Sequence, residues 1–177
     1  EAPEQNPFMP IFYQDIARYA LPVQLSFLMQ RMEQAQQIEL VRGAGKPLIS
    51  DYLWHKDALF AELNLTADEL VLYQNISTKI PMPDIAPDLV ILLQAPTETL
   101  LKRVHQRGIL HEQGMSLDYL EQVSQMYSRF FLDYEAAPVL VVNCEKLDFV
   151  HNPQNDFALL LDCIQQMRGP RGFFNVA

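Results

Sequence analysis

The chain has 177 residues, 49% of them hydrophobic, and a formal net charge of −9. That length fits a single domain spanning 1–177 with a substantial core. The acidic balance excludes a nucleic-acid polymer as partner, because phosphate backbones need a basic face. No apolar run is long enough to span a membrane, so no membrane partner is expected. The two cysteines, Cys144 and Cys163, form neither a CxxC pair nor a disulfide framework. They read as core residues in a reducing cytoplasm.

Residues 1–10, EAPEQNPFMP, are rich in proline and polar residues and read as irregular. Residues 11–13 read as a short helical turn. Asp15 is placed to cap a long helix towards Glu39. Ile16, Tyr19, Ala20, Val23 and Phe27 give it one apolar stripe, and Leu21, Leu25, Leu28 and Met32 a second. Two stripes mean burial on two sides, and one of them can serve as a dimer face. Pro22 is expected to kink the helix or disturb its first turns.

The stretch RGAGKP at 42–47 contains GxGK. A phosphate-cradling loop needs GxxxxGK followed by Ser or Thr, between a strand and a helix. Pro47 follows the lysine here, so the stretch reads as a turn. Leu48-Ile49-Ser50-Asp51 reads as a short strand ending in a polar pair, and residues 52–63 as a helix. Thr66 and Glu69 have capping-box spacing and open a helix through Ser77. Pro81, Pro83 and Pro87 mark a loop.

Leu89 to Leu93 form an uninterrupted apolar run between Pro87 and Pro96, the pattern of a strand buried in a parallel sheet. A helix follows, capped by Thr97 and closed by Gly108, with Arg103 and Arg107 on one face of its last turns. Two readings of the arginines stand side by side. They offset the negative end of the helix dipole, or they clamp phosphate oxygens with their planar forks. A polar segment with Glu112 and Gly114 comes next. Ser116 then caps a helix through Tyr134, Val139 to Val142 form a third buried strand, and Asn152-Pro153 start a last helix. The tail GPRGFFNVA is expected to pack Phe173 and Phe174. His55, His105, His111 and His151 have no metal-ligand spacing.

The string LQAxxETLLKRxxxRG at 93–108, followed by EQGxSLDYLE at 112–121, resembles the lid region of the deoxynucleoside kinases. The resemblance extends from Glu1 to about Val150. It implies an α/β, P-loop NTPase-like three-layer fold, helix-rich, with a parallel sheet covered by helices. It implies transfer of the γ-phosphate of ATP, with Mg²⁺, to the 5′-hydroxyl of a deoxynucleoside, here a purine one, by a homodimer in nucleotide salvage.

Residue by residue, Glu1 in ExxxxNP resembles the family's general base, although a first residue can equally be disordered. Phe12 and Tyr13 in FYQD resemble pocket residues, the tyrosine bonding the sugar 3′-hydroxyl; otherwise Tyr13 is a core tyrosine. Gln24 matches the glutamine that reads the base edge, since an amide offers a donor and an acceptor side by side. Glu112 resembles the lid glutamate that reaches the 3′-hydroxyl. Arg103 and Arg107 resemble the transfer-stabilising arginines. Asp148 and Phe149 stand where relatives build the adenine loop, and Asp51 is placed to orient Mg²⁺ through water.

Three departures accompany the match. Ile109 stands where many relatives have a third lid arginine, and Ser50-Asp51-Tyr52 replaces an acidic-Arg-Ser motif. The first strand and its P-loop, GxxGxGK[ST], do not precede Glu1. This chain is therefore expected to be the trailing part of a longer kinase and inactive as it stands. Two other readings compete: a catalytically silent nucleoside-binding and dimerisation module, and a nucleoside monophosphate kinase of thymidylate type.

Overall fold

A computed structural model describes residues 2–80 and 86–176. Among these, seven α-helices and three strands are formed. They are α1 (Met9–Phe12), α2 (Ile16–Gly43), α3 (Lys56–Asn64), α4 (Ala67–Ser77), β1 (Val90–Gln94), α5 (Thr97–Arg107), α6 (Leu117–Leu132), β2 (Val139–Asn143), α7 (Pro153–Gln166) and β3 (Arg171–Asn175). Two compact units result. One holds residues 1–84 and 107–116; the other holds 85–106 and 117–177. Pro81 and Pro83, expected in a loop, lie outside the described residues.

The first unit is helical. Asp15 caps α2 by accepting from the Arg18 amide at 3.2 Å, as its position predicts. The helix runs on through Pro22 and reaches Gly43, four residues beyond the expected end. RGAGKP is the C-terminal turn of α2. The Gly45 amide donates to the Arg42 carbonyl at 2.8 Å, and Gly45 holds φ +67°, which only a residue without Cβ adopts freely. Thr66 and Glu69 form the full capping box that opens α4. Leu28, Ala61 and Tyr73, from α2, α3 and α4, make the apolar centre of this unit.

The expected strand at 48–51 is not formed. Ile49 is 99% exposed, and the described residues of this unit form no strand to take its backbone hydrogen bonds. The helix expected at 52–63 begins only at Lys56.

The second unit is built on a three-stranded parallel sheet in the order β1-β2-β3. The apolar runs at 89–93 and 139–142 supply β1 and β2. The third strand is the tail, where Val139 pairs with Arg171 and Val142 with Phe174. Leu140, Val142, Cys144 and Leu147 pack with Leu160 of α7, and Cys163, Ile164 and Phe174 close around them. Phe173 points to the other face and is 69% exposed, so only one of the two tail phenylalanines packs. Arg171 fastens β3 to α6 by donating to the carbonyls of Phe131 at 2.6 Å, and Leu132 and Tyr134 at 3.3 Å. A cation there also suits the negative end of that helix.

Candidate active site

In the first unit, Asn6 anchors the start of the chain. It is 1% exposed, donates from Nδ2 to the Val23 carbonyl at 3.1 Å, and accepts from the Phe8 amide at 3.1 Å. The segment before α1 is thereby tied to α2 one residue before Gln24. Phe12 is buried and meets Tyr13 edge to face at 4.9 Å. A 3-10 turn at Leu110–Gly114 packs against α1, and a side chain at position 114 would meet Cβ of Tyr13 at 3.4 Å. Tyr13 and Glu112 therefore come from elements in contact.

The same unit holds a buried polar cluster drawn from three helices. Gln24 and Arg31 come from α2, Asp57 from α3 and Tyr73 from α4, and each is buried. Gln24 donates from Nε2 to the Asp57 carbonyl at 2.8 Å and to its Oδ1 at 3.0 Å. Arg31 donates from Nη1 to the same Oδ1, and the Tyr73 hydroxyl donates to Oδ2. A lone carboxylate in such a place would cost several kcal/mol, so pairing with Arg31 and hydrogen bonding are conditions of its burial. The Arg31 guanidinium also lies over the rings of Phe27 at 5.3 Å and Tyr52 at 4.8 Å. Tyr52 in turn presents an edge-to-face contact to Trp54, at 6.5 Å and 88°. Gln24 was expected to show a donor and an acceptor together. In the structure its amide nitrogen donates both of these bonds to Asp57.

Arg107 and Glu112 pair across the segment between them. Arg107 donates to Oε2 of Glu112 from Nε at 3.0 Å and from Nη2 at 2.6 Å. Gly108, at φ +73°, turns the chain between α5 and this segment. Asp51 is exposed, next to a tight turn in which Ser50 Oγ accepts from the Tyr52 amide at 3.1 Å. Among the described residues no group of three His, Cys, Asp or Glu gathers to hold a metal. A single exposed carboxylate still fits Mg²⁺, which is commonly held by one or two carboxylates, waters and substrate phosphates.

In the second unit, Arg103 donates from Nη2 to the carbonyls of Cys144 at 2.7 Å and Leu147 at 2.8 Å. It fixes the turn after β2. Burial pushes the Cys144 thiol up, with Arg103 opposing that shift. The neighbouring loop is built on two aspartates. Asp156, 6% exposed, accepts from the Asp148 amide at 2.5 Å. The exposed Asp148 carboxylate accepts from the amides of His151 at 2.9 Å and Val150 at 3.1 Å and meets Nδ1 of His151 at 2.8 Å. Those contacts, the His151 amide foremost, hold its pKa at about 2. Phe149 packs on Phe157, with ring centres 5.3 Å apart.

The sequence-derived residues thus fall in two groups. Phe12, Tyr13, Gln24, Asp51, Arg107 and Glu112 lie in the first unit; Arg103, Asp148 and Phe149 lie in the second. Glu1 lies outside the described residues. Sequence reasoning missed Asn6, Arg31, Asp57 and Tyr73. A signal for Arg31 existed: it falls in the buried α2 stripe Ala20, Gln24, Leu28, Arg31, Ala35, where an exposed residue would not fit.

Comparison with known proteins adds to this geometry. A family model for deoxynucleoside kinases matches residues 2–167. A deoxyadenosine kinase of Lactobacillus acidophilus is 29% identical, the match covering 95% of this chain and 83% of that protein. A deoxyguanosine kinase of Bacillus subtilis is 28% identical, covering 94% and 83% respectively. Among solved structures, deoxyadenosine kinase from M. mycoides with bound dCTP superposes with a TM-score of 0.68 at 21% identity, over 94% of this chain and 84% of that one. At that identity the superposition establishes a shared fold: helix-rich, P-loop NTPase-like, with a parallel sheet.

Proposed function

The chain belongs to the deoxynucleoside kinase family, and from that premise we propose that it phosphorylates the 5′-hydroxyl of a purine deoxynucleoside. Bound Mg-ATP supplies the phosphoryl group, and the chain's own residues select, orient and stabilise. Gln24 faces the base, Phe12 and Tyr13 line the sugar pocket, and Tyr13 and Glu112 hold the 3′-hydroxyl. Arg107 meets charge that develops on the transferred group, sharing or leaving Glu112 to do so. Glu1, on the strength of the family resemblance, accepts the proton of the 5′-hydroxyl. By the same resemblance Arg103 stabilises transfer, Asp148 and Phe149 border the adenine, and Asp51 orients Mg²⁺ through water.

The observation that supports this reading best is the buried Gln24 amide, fixed by Asp57 near the end of α2 that Asn6 ties down. The residue is 3% exposed, and its amide nitrogen is held by two bonds to Asp57, so the side chain stands in one orientation. Purine substrates are favoured by the names of the relatives at 29% and 28% identity. The protein works in the cytoplasm as a homodimer, and Met29, Leu40, Val71 and Leu72, all exposed on α2 and α4, suit a subunit interface. Among the described residues no helix is long and apolar enough to cross a membrane.

The test is ADP formation with deoxyadenosine, deoxyguanosine, deoxycytidine and thymidine as acceptors, alongside nucleoside-dependent thermal stabilisation. Turnover with a purine deoxynucleoside supports the proposal. Stabilisation without turnover would favour the silent module, and transfer to thymidylate alone would favour the monophosphate kinase.

A further inference from the structure

We propose that Tyr73 is a positioning residue for base recognition, fixing through Asp57 which group of the Gln24 amide faces the nucleobase. The inference rests on the assignment of Gln24 to the base.

The Asp57 carboxylate divides its two oxygens. Oδ1 accepts from Gln24 and Arg31, and Oδ2 accepts from the Tyr73 hydroxyl. The second Gln24 hydrogen goes to the Asp57 carbonyl at 2.8 Å. Both partners of the amide nitrogen are thus oxygens that only accept. Turning the amide over would set its carbonyl against both, with no hydrogen between them. The side chain can therefore offer a base only its Oε1, an acceptor, as long as Asp57 keeps this rotamer.

Tyr73 keeps it there. Without the phenol hydrogen, Oδ2 would be a buried carboxylate oxygen with one charge-assisted partner fewer. Rotation of the carboxylate, to share the donors of Arg31 and Gln24 or to admit a ligand amine, is the available relief. Either movement releases a Gln24 hydrogen and lets the amide present a mixed edge. The Tyr73 ring cannot follow, since it is 2% exposed and packed in one apolar cluster with Leu28 and Ala61. Its hydroxyl is a fixed point on α4, joined to Gln24 through Asp57.

Tyr73→Phe removes one oxygen and keeps every packed carbon of the ring. Calorimetric titration with deoxyadenosine, deoxyguanosine and ATP should show nucleoside binding weakened about tenfold or more, the effect of one hydrogen bond to a charged group, and ATP binding unchanged. In the double variant Q24A/Y73F, nucleoside binding should be no weaker than in Q24A alone. Unchanged nucleoside binding in Y73F, or losses that multiply in the double variant, would overturn the proposal. A separate measurement needs no variant. In the wild-type protein the Tyr73 hydroxyl proton should persist by NMR under saturating nucleoside. Its disappearance would mean that the ligand takes Oδ2 from Tyr73, and the proposal would fall. If Q24A itself binds nucleosides normally, the assignment of Gln24 to the base fails, and that outcome is distinct from a failure confined to Y73F.

Discussion

Arg107 reaches Glu112 through one oxygen, donating to Oε2 from Nε at 3.0 Å and from Nη2 at 2.6 Å. Arg107 is 56% exposed at its side chain and Glu112 only 12%, so solvent reaches the guanidinium far more than the carboxylate. An exposed pair of this kind stabilises the fold by at most about 1 kcal/mol. Glu112→Gln should therefore leave the melting temperature within about 4 °C of the wild type. Its effect should fall on the sugar instead. The variant should discriminate less between deoxyadenosine and its 3′-deoxy analogue, measured as the ratio of kcat/KM for the two.

Asp57 behaves in the opposite way, because its partners are buried with it. Asp57→Ala leaves the Arg31 charge buried against Phe27 and Tyr52, and the cost of breaking such a pair is about 3–5 kcal/mol. Urea unfolding should show that loss. Replacing both charges together, with Arg31→Met and Asp57→Leu, should recover much of the stability while nucleoside binding stays lost.

The Asp148 carboxyl provides a pH prediction. Its folded pKa is held at about 2, chiefly by the His151 amide, with the His151 ring and the Val150 amide adding to it. A depressed acid pKa contributes stability above the unfolded value, and that contribution is lost as pH falls through the folded one. The window runs from about pH 4 down to about pH 2. Carboxyl NMR should show Asp148 titrating near that lower limit. His151→Ala should raise the midpoint only part of the way, because the backbone amide remains.

Arg103 should show a stability effect separable from catalysis. Arg103→Ala removes a cation from the carbonyls of Cys144 and Leu147, hydrogen bonds that contribute about 1.5–3 kcal/mol. The loss should appear in denaturant unfolding without any nucleotide present. The Cys144 thiol, pushed up by burial and held back by Arg103, should titrate higher still in this variant.

Much of the fold was legible because local signals were strong. The unbroken apolar runs at 89–93 and 139–142 gave β1 and β2, and the Thr66–Glu69 capping box gave the start of α4. The segment 48–51 carries an equally plausible local pattern, but a strand exists only by pairing. The reverse holds for RGFFN, which has no β-branched residue and no alternation and becomes a strand because β2 offers it an edge. The site divides likewise. Gln24 was visible as an amide among apolar neighbours. Asp57 looked like an ordinary acidic residue in a helix's first turn, and its role arises only where α2, α3 and α4 converge.

Trp54 lies at the end of a chain of ring contacts that begins at Arg31 and passes through Tyr52. It is the sequence's single tryptophan and is 36% exposed. Selective excitation of its indole therefore reads one position, two ring contacts from Arg31, the ion-pair partner of Asp57. Under the proposed function, adding a deoxynucleoside should change this intrinsic fluorescence, with no label attached.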